Sequence, residues 1–382
     1  MLYLAIASII GLLLGWYLGR YRSQDLPAGK FPSIWQNQTY LRGLNYVIAR
    51  QADKAISEFS KLAQENPDMV EIYLSLGNLF REQGELERAI WIHQGLIVRP
   101  TLSVEMRLQA MMALGMDYSQ AGVVDRATAT FRQVIANHPE YLPVYQYLEQ
   151  LYEQESNWEQ AYLTQQKILN LTRSKDMRIL AHLQVQLAKE YQSQGDLLEA
   201  GKRLHTALYL EPKSSDAQLY LGDIYQAQGE TDKAAGIWEG MLRNQAKFAC
   251  LAYRRLEEAY WSTSQYERIE RLYMDILKKN PQDLRARLAL IDYYTRQGKI
   301  GQALVQIRQG LLHQPQNRYL RETLLQLLIQ AGSLPMEAET VKTLKDTKPD
   351  EIPFVCSCCG YETTVDPWKC PCCRQWDTFG EG

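Results

Sequence analysis

The fold of this chain is decided by a phrase that recurs along it. Residues 74–90 read LSLGNLFREQGELERAI, and residues 219–235 read LYLGDIYQAQGETDKAA. In both segments a glycine follows a leucine, an aromatic residue comes three positions later, and a second glycine and an alanine complete the phrase. The position of the first glycine recurs along the chain at Gly43, Gly77, Gly115, Glu149, Ala188, Gly222, Glu257 and Ile291. This regularity predicts helix pairs stacked one on the next from about residue 36 to residue 330.

The steps between these positions are 34, 38, 34, 39, 34, 35 and 34 residues. A period near 34 residues is typical of tetratricopeptide repeats, in which each unit is a pair of helices. We therefore predict an all-α tetratricopeptide-repeat solenoid of about eight to nine repeats over residues 36–335. The two long steps place extra residues around 101–105 and 173–177, as a lengthened loop or helix that could divide the array into subarrays.

Three other sets of residues recur with the same period. Aromatic rings that should fill the space between the helices of each pair are Tyr46, Phe80, Tyr118, Tyr152, Tyr191, Tyr225, Tyr260 and Tyr294. Alanines that should let the second helix pass close to the first are Ala55, Ala89, Ala127, Ala161, Ala200, Ala234 and Ala303. Turn glycines and unit-ending prolines are Gly84, Gly122, Gly195, Gly229, Gly298, Pro67, Pro139, Pro212, Pro281 and Pro315.

The surfaces of such an array are less determined by the pattern. We interpret the tryptophans of the repeats, Trp91, Trp158, Trp238 and Trp261, as core packing. Stacked pairs leave a concave groove lined by first helices, where a partner peptide usually lies. The groove residues expected near the phrase are Asn78, Arg81, Met112, Met116, Lys189, Asp223 and Asp292. Their charges are mixed, so they do not name a ligand.

The N-terminal segment has the properties of a membrane anchor. Residues 2–19 are 18 consecutive uncharged residues, enough for a helix of roughly 27 Å. Arg20 and Arg22 follow this run, whereas a cleaved signal peptide has its positive charges before it. We predict a transmembrane anchor at residues 1–20 and a juxtamembrane linker at 21–35. Positive charge stays on the cytoplasmic side, so we expect a periplasmic N-terminus and a cytoplasmic remainder.

The composition excludes some partners and favours metal over disulfides. The 382 residues include 42 Lys plus Arg and 44 Asp plus Glu, a net charge of −2 that gives no general attraction to nucleic acid. A cytoplasmic chain lies in a reducing compartment, where clustered cysteines are expected to bind metal rather than to form disulfides. The motifs of common hydrolases, zinc proteases and nucleotide-binding loops are missing from the sequence, so we expect no enzyme.

Six of the seven cysteines lie in the segment CSCCGYETTVDPWKCPCCRQW, residues 356–376. Cys356 and Cys359 form one C-x-x-C pair, and Cys370 and Cys373 form a second. Four thiolates in two such turns complete a tetrahedral shell for one zinc or iron ion. We predict a linker at residues 336–353 and a metal ribbon at 354–382, with Trp368 and Trp376 packing the ribbon on itself or on the last repeats.

Some features of the cysteine segment leave alternatives open. Cys358 and Cys372 are surplus to the four ligands and could hold a second metal or make the ligand choice ambiguous. A thiol redox centre and an electron-transfer iron site are the rival interpretations. None of the five histidines is spaced as a further ligand, so each is expected on the surface or in packing: His93, His138, His182, His205 and His313.

The order of these parts, an anchor, a long repeat array, then CSCCG and CPCCRQW, resembles the lipopolysaccharide assembly protein B family of Gram-negative bacteria. The resemblance implies an inner-membrane adaptor that presents the lipid A pathway deacetylase to the membrane protease FtsH, and so restrains lipopolysaccharide synthesis. It implies a rubredoxin-like ribbon with Cys356, Cys359, Cys370 and Cys373 as ligands, and other inner-membrane lipopolysaccharide assembly proteins as partners.

Arg374 departs from the rubredoxin pattern, which usually has glycine there, and this puts electron transfer in doubt. Two other functions stay open from the sequence. One is a generic envelope assembly scaffold, and the other is a thiol or iron redox protein docked through its repeats.

Overall fold

The computed structural model describes residues 38–244, 248–331 and 352–381. Within them the chain forms 17 α-helices, one short 3-10 helix and a three-stranded sheet. It divides into two compact units, unit 1 at Met1–Leu151 and unit 2 at Tyr152–Gly382. In the described part of the chain no helix is long and apolar enough to cross a bilayer. The predicted anchor, the juxtamembrane linker and nearly all of the linker at 336–353 lie outside the described residues.

Unit 1 consists of consecutive antiparallel helix pairs. Its helices are α1 (Gln38–Ile48), α2 (Ala52–Glu65), α3 (Val70–Glu82), α4 (Leu86–Ile97), α5 (Val104–Gln120), α6 (Val124–Asn137) and the first part of α7 (Leu142–Gln154). Odd-numbered helices are the first helix of each pair and even-numbered helices are the second. The helix pairs predicted from the phrase are therefore confirmed in this unit.

Unit 2 continues the same pattern and ends in the ribbon. After the end of α7, its helices are α8 (Trp158–Thr172), α9 (Arg178–Ser193), α10 (Leu197–Leu210), α11 (Ser215–Ala227), α12 (Thr231–Arg243), α13 (Tyr253–Ser262), α14 (Tyr266–Lys279), α15 (Leu284–Arg296), α16 (Ile300–His313) and α17 (Arg318–Gln330). The 3-10 helix Ala249–Ala252 precedes α13, which is only 10 residues long.

Where the first position of the recurring phrase is glycine, the residue is small because it faces a ring from the second helix of the same pair. A Cβ atom added to Gly43 would lie 2.8 Å from Cδ1 of Phe59 and closer still to Cε1, and one added to Gly222 would lie 2.9 Å from Cδ1 of Trp238 and closer still to Nε1. The seven predicted close-approach alanines are all fully buried. Close packing of this kind leaves no room for a larger residue, so the period in the sequence reports the spacing of the helix pairs. The all-α tetratricopeptide-repeat fold is confirmed.

The turns also follow the prediction. The five turn glycines all have positive φ, between 70° and 84°. Where glycine is missing from that position, Arg50, Ser156 and Ser264 take the same left-handed conformation, with φ of 55° to 59°. Each of the five unit-ending prolines lies two residues after the end of a second helix. The repeat therefore retains its turn geometry even where its preferred residue is absent.

At the two long steps of the repeat, the first helix of the pair and the loop before it are longer than elsewhere. Helices α5 and α9 have 17 and 16 residues, whereas α3, α11 and α15 have 13. Ser103 begins α5 by accepting a hydrogen bond from the Met106 N–H. The expectation that these insertions divide the array is wrong, since the boundary between the units lies inside α7.

The prediction that all the repeat tryptophans pack in the core is wrong for two of them. Trp238 is buried at 1% exposure, but Trp91 is 75% exposed and Trp261 is 49% exposed. Trp91 lies two residues after the buried Ala89, which puts it on the opposite face of α4. Trp238 lies four residues after Ala234, on the same face of α12, and is therefore buried.

The ribbon is a small antiparallel sheet. Strand β1 (Phe354–Cys356) lies in the middle, paired with β2 (Glu362–Thr363) on one side and with β3 (Phe379–Glu381) on the other. Cys356 at the end of β1 pairs with Phe379 at the start of β3, so the first cysteine turn lies beside the segment that follows the second.

Candidate metal ribbon and its seat on unit 2

The two C-x-x-C segments form turns of matching geometry. In the first turn the Gly360 N–H donates to the Cys356 carbonyl at 2.9 Å, and in the second the Arg374 N–H donates to the Cys370 carbonyl at 2.8 Å. Both residues that follow the second cysteine have positive φ, 73° at Gly360 and 59° at Arg374. The departure from glycine at Arg374 therefore does not change the turn, although it places a side chain in a strained conformation.

The turns bring together the four cysteines predicted as ligands. Their sulfur atoms all lie within 4.8 Å of one another, with 3.7 Å between Cys356 and Cys373 and 3.5 Å between Cys359 and Cys370. A tetrahedral zinc site with Zn–S bonds of 2.3 Å has sulfurs roughly 3.8 Å apart. Disulfide sulfurs would lie at about 2.05 Å. The arrangement could therefore hold a metal ion, and all four cysteines are free of disulfides.

The surroundings of the sulfurs favour thiolate at one position. Sγ of Cys356 lies 3.2 Å from Oγ1 of Thr378. This hydrogen bond lowers the pKa of the Cys356 thiol to about 6. Cys370 is fully buried and Cys359 is exposed, and the two surplus cysteines, Cys358 and Cys372, are exposed and lie outside the cluster of four. The ligand set is thus separated from the surplus thiols by position.

The ribbon is seated on first helices of unit 2, and one end of the seat is built around His182 of α9. The His182 ring stacks on Trp376 of the ribbon, with centroids 4.7 Å apart and planes 9° apart. Nδ1 of His182 lies 2.5 Å from Asp216 of α11, and Nε2 lies 3.1 Å from Asp377 of the ribbon. Burial lowers the pKa of His182, but the hydrogen bonds to the two carboxylates outweigh burial and raise it to about 9.

Glu153, at the end of α7, holds the same tryptophan from another side. The indole N–H of Trp376 donates to Oε1 of Glu153 at 3.2 Å. Lys369 of the ribbon forms an ion pair with the same carboxylate and lies 5.0 Å from the Trp376 ring centroid. Both Glu153 and Lys369 are largely buried, so this contact is shielded from solvent.

A second polar contact ties the loop after β2 to the repeats. The Tyr220 hydroxyl of α11 donates to Asp366 at 2.7 Å, and Nζ of Lys189 lies 3.5 Å from the same carboxylate. Desolvation by burial and then the hydrogen bond to Asp366 raise the pKa of Tyr220 well above its usual value. This hydroxyl therefore stays protonated and acts as a donor.

The apolar end of the ribbon is buried against the middle of unit 2. Phe248 makes edge contacts with both Phe354 and Trp368, each at 5.2 Å between ring centroids. Arg285 of α15 donates to the carbonyls of Ile352 and Pro353, and its guanidinium lies 4.1 Å from the Phe354 ring centroid. Ribbon and repeats thus share one apolar core.

The sequence predicted the cysteine cluster but not this seat. Trp376 stacks on His182 of α9 and also contacts Lys369 of the ribbon, and Trp368 makes an edge contact with Phe248. Of the residues expected to line an open groove, Lys189 contacts the ribbon, while Arg81, Asp223 and Asp292 form ion pairs within the repeats. His182, which the sequence suggested only as a surface or packing residue, is a principal contact of the seat.

Unit 1 contains a second buried histidine–aspartate pair. Nδ1 of His93 in α4 lies 2.5 Å from Asp117 of α5, and Arg81 of α3 donates to the other oxygen of Asp117 at 3.0 Å. His93 and Asp117 have no exposed surface. The His93 ring faces Gly77, whose added Cβ would lie 2.6 Å from Cε1 of the ring. This pair joins three successive helices within the repeats.

Comparison with known proteins supports the repeat fold and the resemblance to lipopolysaccharide assembly protein B. Models of the tetratricopeptide repeat match residues 40–94, 109–141 and 185–247. The chain is 27% identical over 369 residues to lipopolysaccharide assembly protein B of Escherichia coli (strain K12), covering 96% of this chain and 94% of that protein. It is 25% identical over 381 residues to the protein of the same name from Haemophilus influenzae, with the same coverage of each chain.

Among solved structures, a tetratricopeptide repeat protein from Parabacteroides merdae is similar to this chain. The two are 14% identical, the match covers 68% of this chain and 97% of the other, and the TM-score is 0.37.

Proposed function

We propose, from its confirmed resemblance to lipopolysaccharide assembly protein B, that this chain is a scaffold of lipopolysaccharide assembly and not an enzyme. The observation that carries the proposal is the match over 96% of the chain, which is more of the chain than the repeats alone account for. Many proteins have tetratricopeptide repeats, so the repeats alone would indicate only binding of other proteins. Their combination with the ribbon is more specific.

The finer proposal is an inner-membrane adaptor that presents the lipid A pathway deacetylase to an FtsH-type protease. A single N-terminal span would confine the repeats to the membrane plane, where the protease also lies. Tethering raises the effective concentration of the two partners, so each contact with the repeats can be weak. The proposal includes a cytoplasmic location for the repeats and the ribbon, as the two arginines after residues 2–19 favour.

The contacts of the ribbon support a structural role for its metal. A zinc or iron ion held by Cys356, Cys359, Cys370 and Cys373 would cross-link the two turns of a fold that is too small to be stable alone. Trp376 and Asp377 follow the second turn directly and reach His182. Metal binding is therefore proposed to hold the ribbon on unit 2, where it covers part of the first-helix surface and leaves other surfaces for partners.

The test compares three versions of the chain in cells that lack the chromosomal copy. They are the full chain, a chain without residues 1–20, and a chain in which an unrelated single-span helix replaces residues 1–20. We expect the deacetylase to be degraded quickly with the first and third versions and at least severalfold more slowly with the second. The measurement is the half-life of the deacetylase after protein synthesis is stopped.

The third version separates tethering from any specific role of the anchor sequence. Equal half-lives with the first two versions would reject tethering as the mechanism. If the half-life with the full chain equals that in cells without the chain, the deacetylase is not its target, and the finer proposal is rejected.

A further inference from the structure

Arg287 of α15 is a buried cation without a buried anion. It is 4% exposed, and no carboxylate of the described residues forms an ion pair with it. Its Nη1 donates to the backbone carbonyl and the side-chain oxygen of Gln306, both at 3.3 Å, and its Nη2 donates to the Pro281 carbonyl at 2.7 Å. All of these acceptors are neutral. A charge removed from water is normally paired with an opposite charge, so the arrangement is incomplete.

Other repeats show that the positive charge is not needed for the structural contact. Arg287 lies four residues before the phrase residue Ile291 and reaches the proline carbonyl six residues before itself. At the same repeat position Gln218 donates to the Pro212 carbonyl at 3.2 Å, and Tyr145 donates to the Pro139 carbonyl at 2.8 Å. A neutral side chain therefore satisfies this carbonyl elsewhere. In the next repeat Arg321 donates to the Pro315 carbonyl at 3.0 Å, but Arg321 is exposed to solvent, whereas the charge of Arg287 is buried.

Arg287 also lines a cavity of about 500 Å³ between α14 and α16. Lys278, His313 and Gln309 lie in the same lining, and Asp275 is its one carboxylate. Gly310 of α16 leaves space for the arginine, since a Cβ there would lie 2.6 Å from Cδ of Arg287. The charge of Asp283 acts on Arg287, but Asp283 is the cap of α15 and accepts the Ala286 N–H at 2.9 Å. Positive groups thus outnumber negative groups around the cavity.

We propose that this cavity binds a phosphate group, with Arg287 as its main contact and Lys278 as a second. The guanidinium fork suits a tetrahedral oxyanion, and two cationic side chains balance a dianion better than a single carboxylate. The lining also includes Met274, Leu277 and Leu312; Met274 and Leu312 are exposed, so the cavity opens to solvent and a ligand can enter it. The site goes beyond the scaffold function, which requires no small ligand, and it lies apart from the four cysteines.

The test uses the purified full chain and its Arg287→Gln variant, which copies the residue found at position 218. Inorganic phosphate is titrated against unfolding temperature at constant pH and ionic strength, with chloride as the replaced salt. We expect the Tm of the wild-type chain to rise by about 5 °C once phosphate is about a hundredfold above its Kd. The Tm of the variant should not rise. Without phosphate the variant should be at least as stable as the wild type, because its proline contact is retained and an unpaired buried charge is removed.

Further titrations, with a second variant and with other anions, identify the source and the chemistry of the ligand. Lys278→Gln should bind phosphate several times more weakly, so its Tm should rise less than that of the wild type at the same phosphate concentration. Glycerol 3-phosphate binding more tightly than inorganic phosphate would support an esterified phosphate, and the reverse would support the free ion. Equal Tm rises in the wild type and in Arg287→Gln would overturn the proposal. So would a stronger response to succinate than to either phosphate, or a phosphate-free Arg287→Gln variant that is less stable than the wild type.

Discussion

The two buried histidine–aspartate pairs have the same contact and different consequences. In unit 1 and in unit 2 the histidine Nδ1 lies 2.5 Å from an aspartate oxygen. Nε2 of His93 has no hydrogen-bond partner among the described residues and faces Gly77 inside the repeats. Nε2 of His182 instead bonds to Asp377, and its ring is covered by Trp376. The first pair therefore joins neighbouring helices, whereas the second joins the repeats to a separate module.

The difference shows that a buried histidine–aspartate contact does not by itself indicate function. What distinguishes the two pairs is the direction of the second ring nitrogen, which depends on whether the histidine lies on a first or a second helix. His182 is on a first helix and faces the side where the ribbon is seated, while His93 is on a second helix and faces its own pair. Perturbing each pair should therefore affect different parts of the molecule.

Removing the metal should have the largest effect, and it should act on the His182 pair and not on the His93 pair. Structural zinc contributes roughly 10 kcal/mol or more to small cysteine folds, so chelation should unfold the ribbon and release His182 from Asp377 and Trp376. Hydrogen exchange followed by mass spectrometry should show faster exchange in β1 and in α9. Peptides from α4 and α5, which contain the His93 pair, should exchange as before.

The matched controls for this experiment are two cysteine variants. Cys370→Ser removes a fully buried sulfur and should reproduce the effect of chelation. Cys358→Ser changes an exposed thiol outside the cluster and should retain both metal and protection. A ribbon that keeps its protection after the metal has been removed would contradict the structural role of the ion.

Raising the pH should weaken the His182 contacts while leaving the packing of the seat in place. The folded pKa of about 9 lies above the ordinary value of 6.5, so protonated His182 stabilises the folded chain fully below about pH 6.5. That stabilisation should decrease between pH 6.5 and 9 and be lost above, a change of about 3 kcal/mol. The free energy of unfolding of the metal-loaded chain, measured in urea at pH 6 and at pH 9.5, tests this.

A His182→Gln variant isolates the histidine from other groups that titrate in the same range. It should be less stable than the wild type at pH 6 and should lose most of the difference between the two pH values. If the variant retains the full pH dependence, another group is responsible and the interpretation of His182 is wrong.

A methyl group at position 77 should disturb only the first pair. The Cβ of Gly77→Ala would lie 2.6 Å from Cε1 of His93 and closer still to Nε2, so the ring must shift within a close-packed space. We expect a loss of about 2 kcal/mol after the gain in helix propensity is subtracted. Gly95→Ala is the control in α4, since nothing lies within 4 Å of its added Cβ, and it should stabilise by about 1 kcal/mol. Thermal unfolding would check both, and a neutral Gly77→Ala would show that the ring is not fixed.

The repeat fold was readable from the sequence because every pair repeats the same close contact. Alanine at the crossing, proline after the second helix and a small residue facing a ring are each required by local packing, so their period of about 34 residues survives in the chain. The exposure of Trp91 was also readable, because its spacing from Ala89 places it on the outer face of the helix. The boundary inside α7 had no such local signal.

The cysteine cluster was predictable and its seat was not. Two C-x-x-C turns specify a metal shell from residues close in sequence, but His182 and Asp377 are 195 residues apart. A contact over that separation leaves no spacing pattern in one sequence. A weaker signal was present, since His182 lies seven residues before Lys189 and therefore on the same face of α9, toward the groove. Glu153, at the end of α7, had no such signal.

The smallest expected effect concerns Arg374 in the second cysteine turn, where two variants separate the backbone conformation from the side-chain charge. Arg374 has a φ of 59°, which costs a non-glycine residue about 1 kcal/mol, whereas Gly360 takes the matching position without that strain. Arg374→Ala removes the charge and keeps the strain, while Arg374→Gly removes both. We expect the glycine variant to retain metal more tightly than the alanine variant, by up to about fivefold in competition with a chelator, since part of the gain is offset by the greater freedom of unfolded glycine. Equal retention by the two variants would mean that the turn at Arg374 relaxes when metal binds, and that the match between the two turns is not maintained in the loaded ribbon.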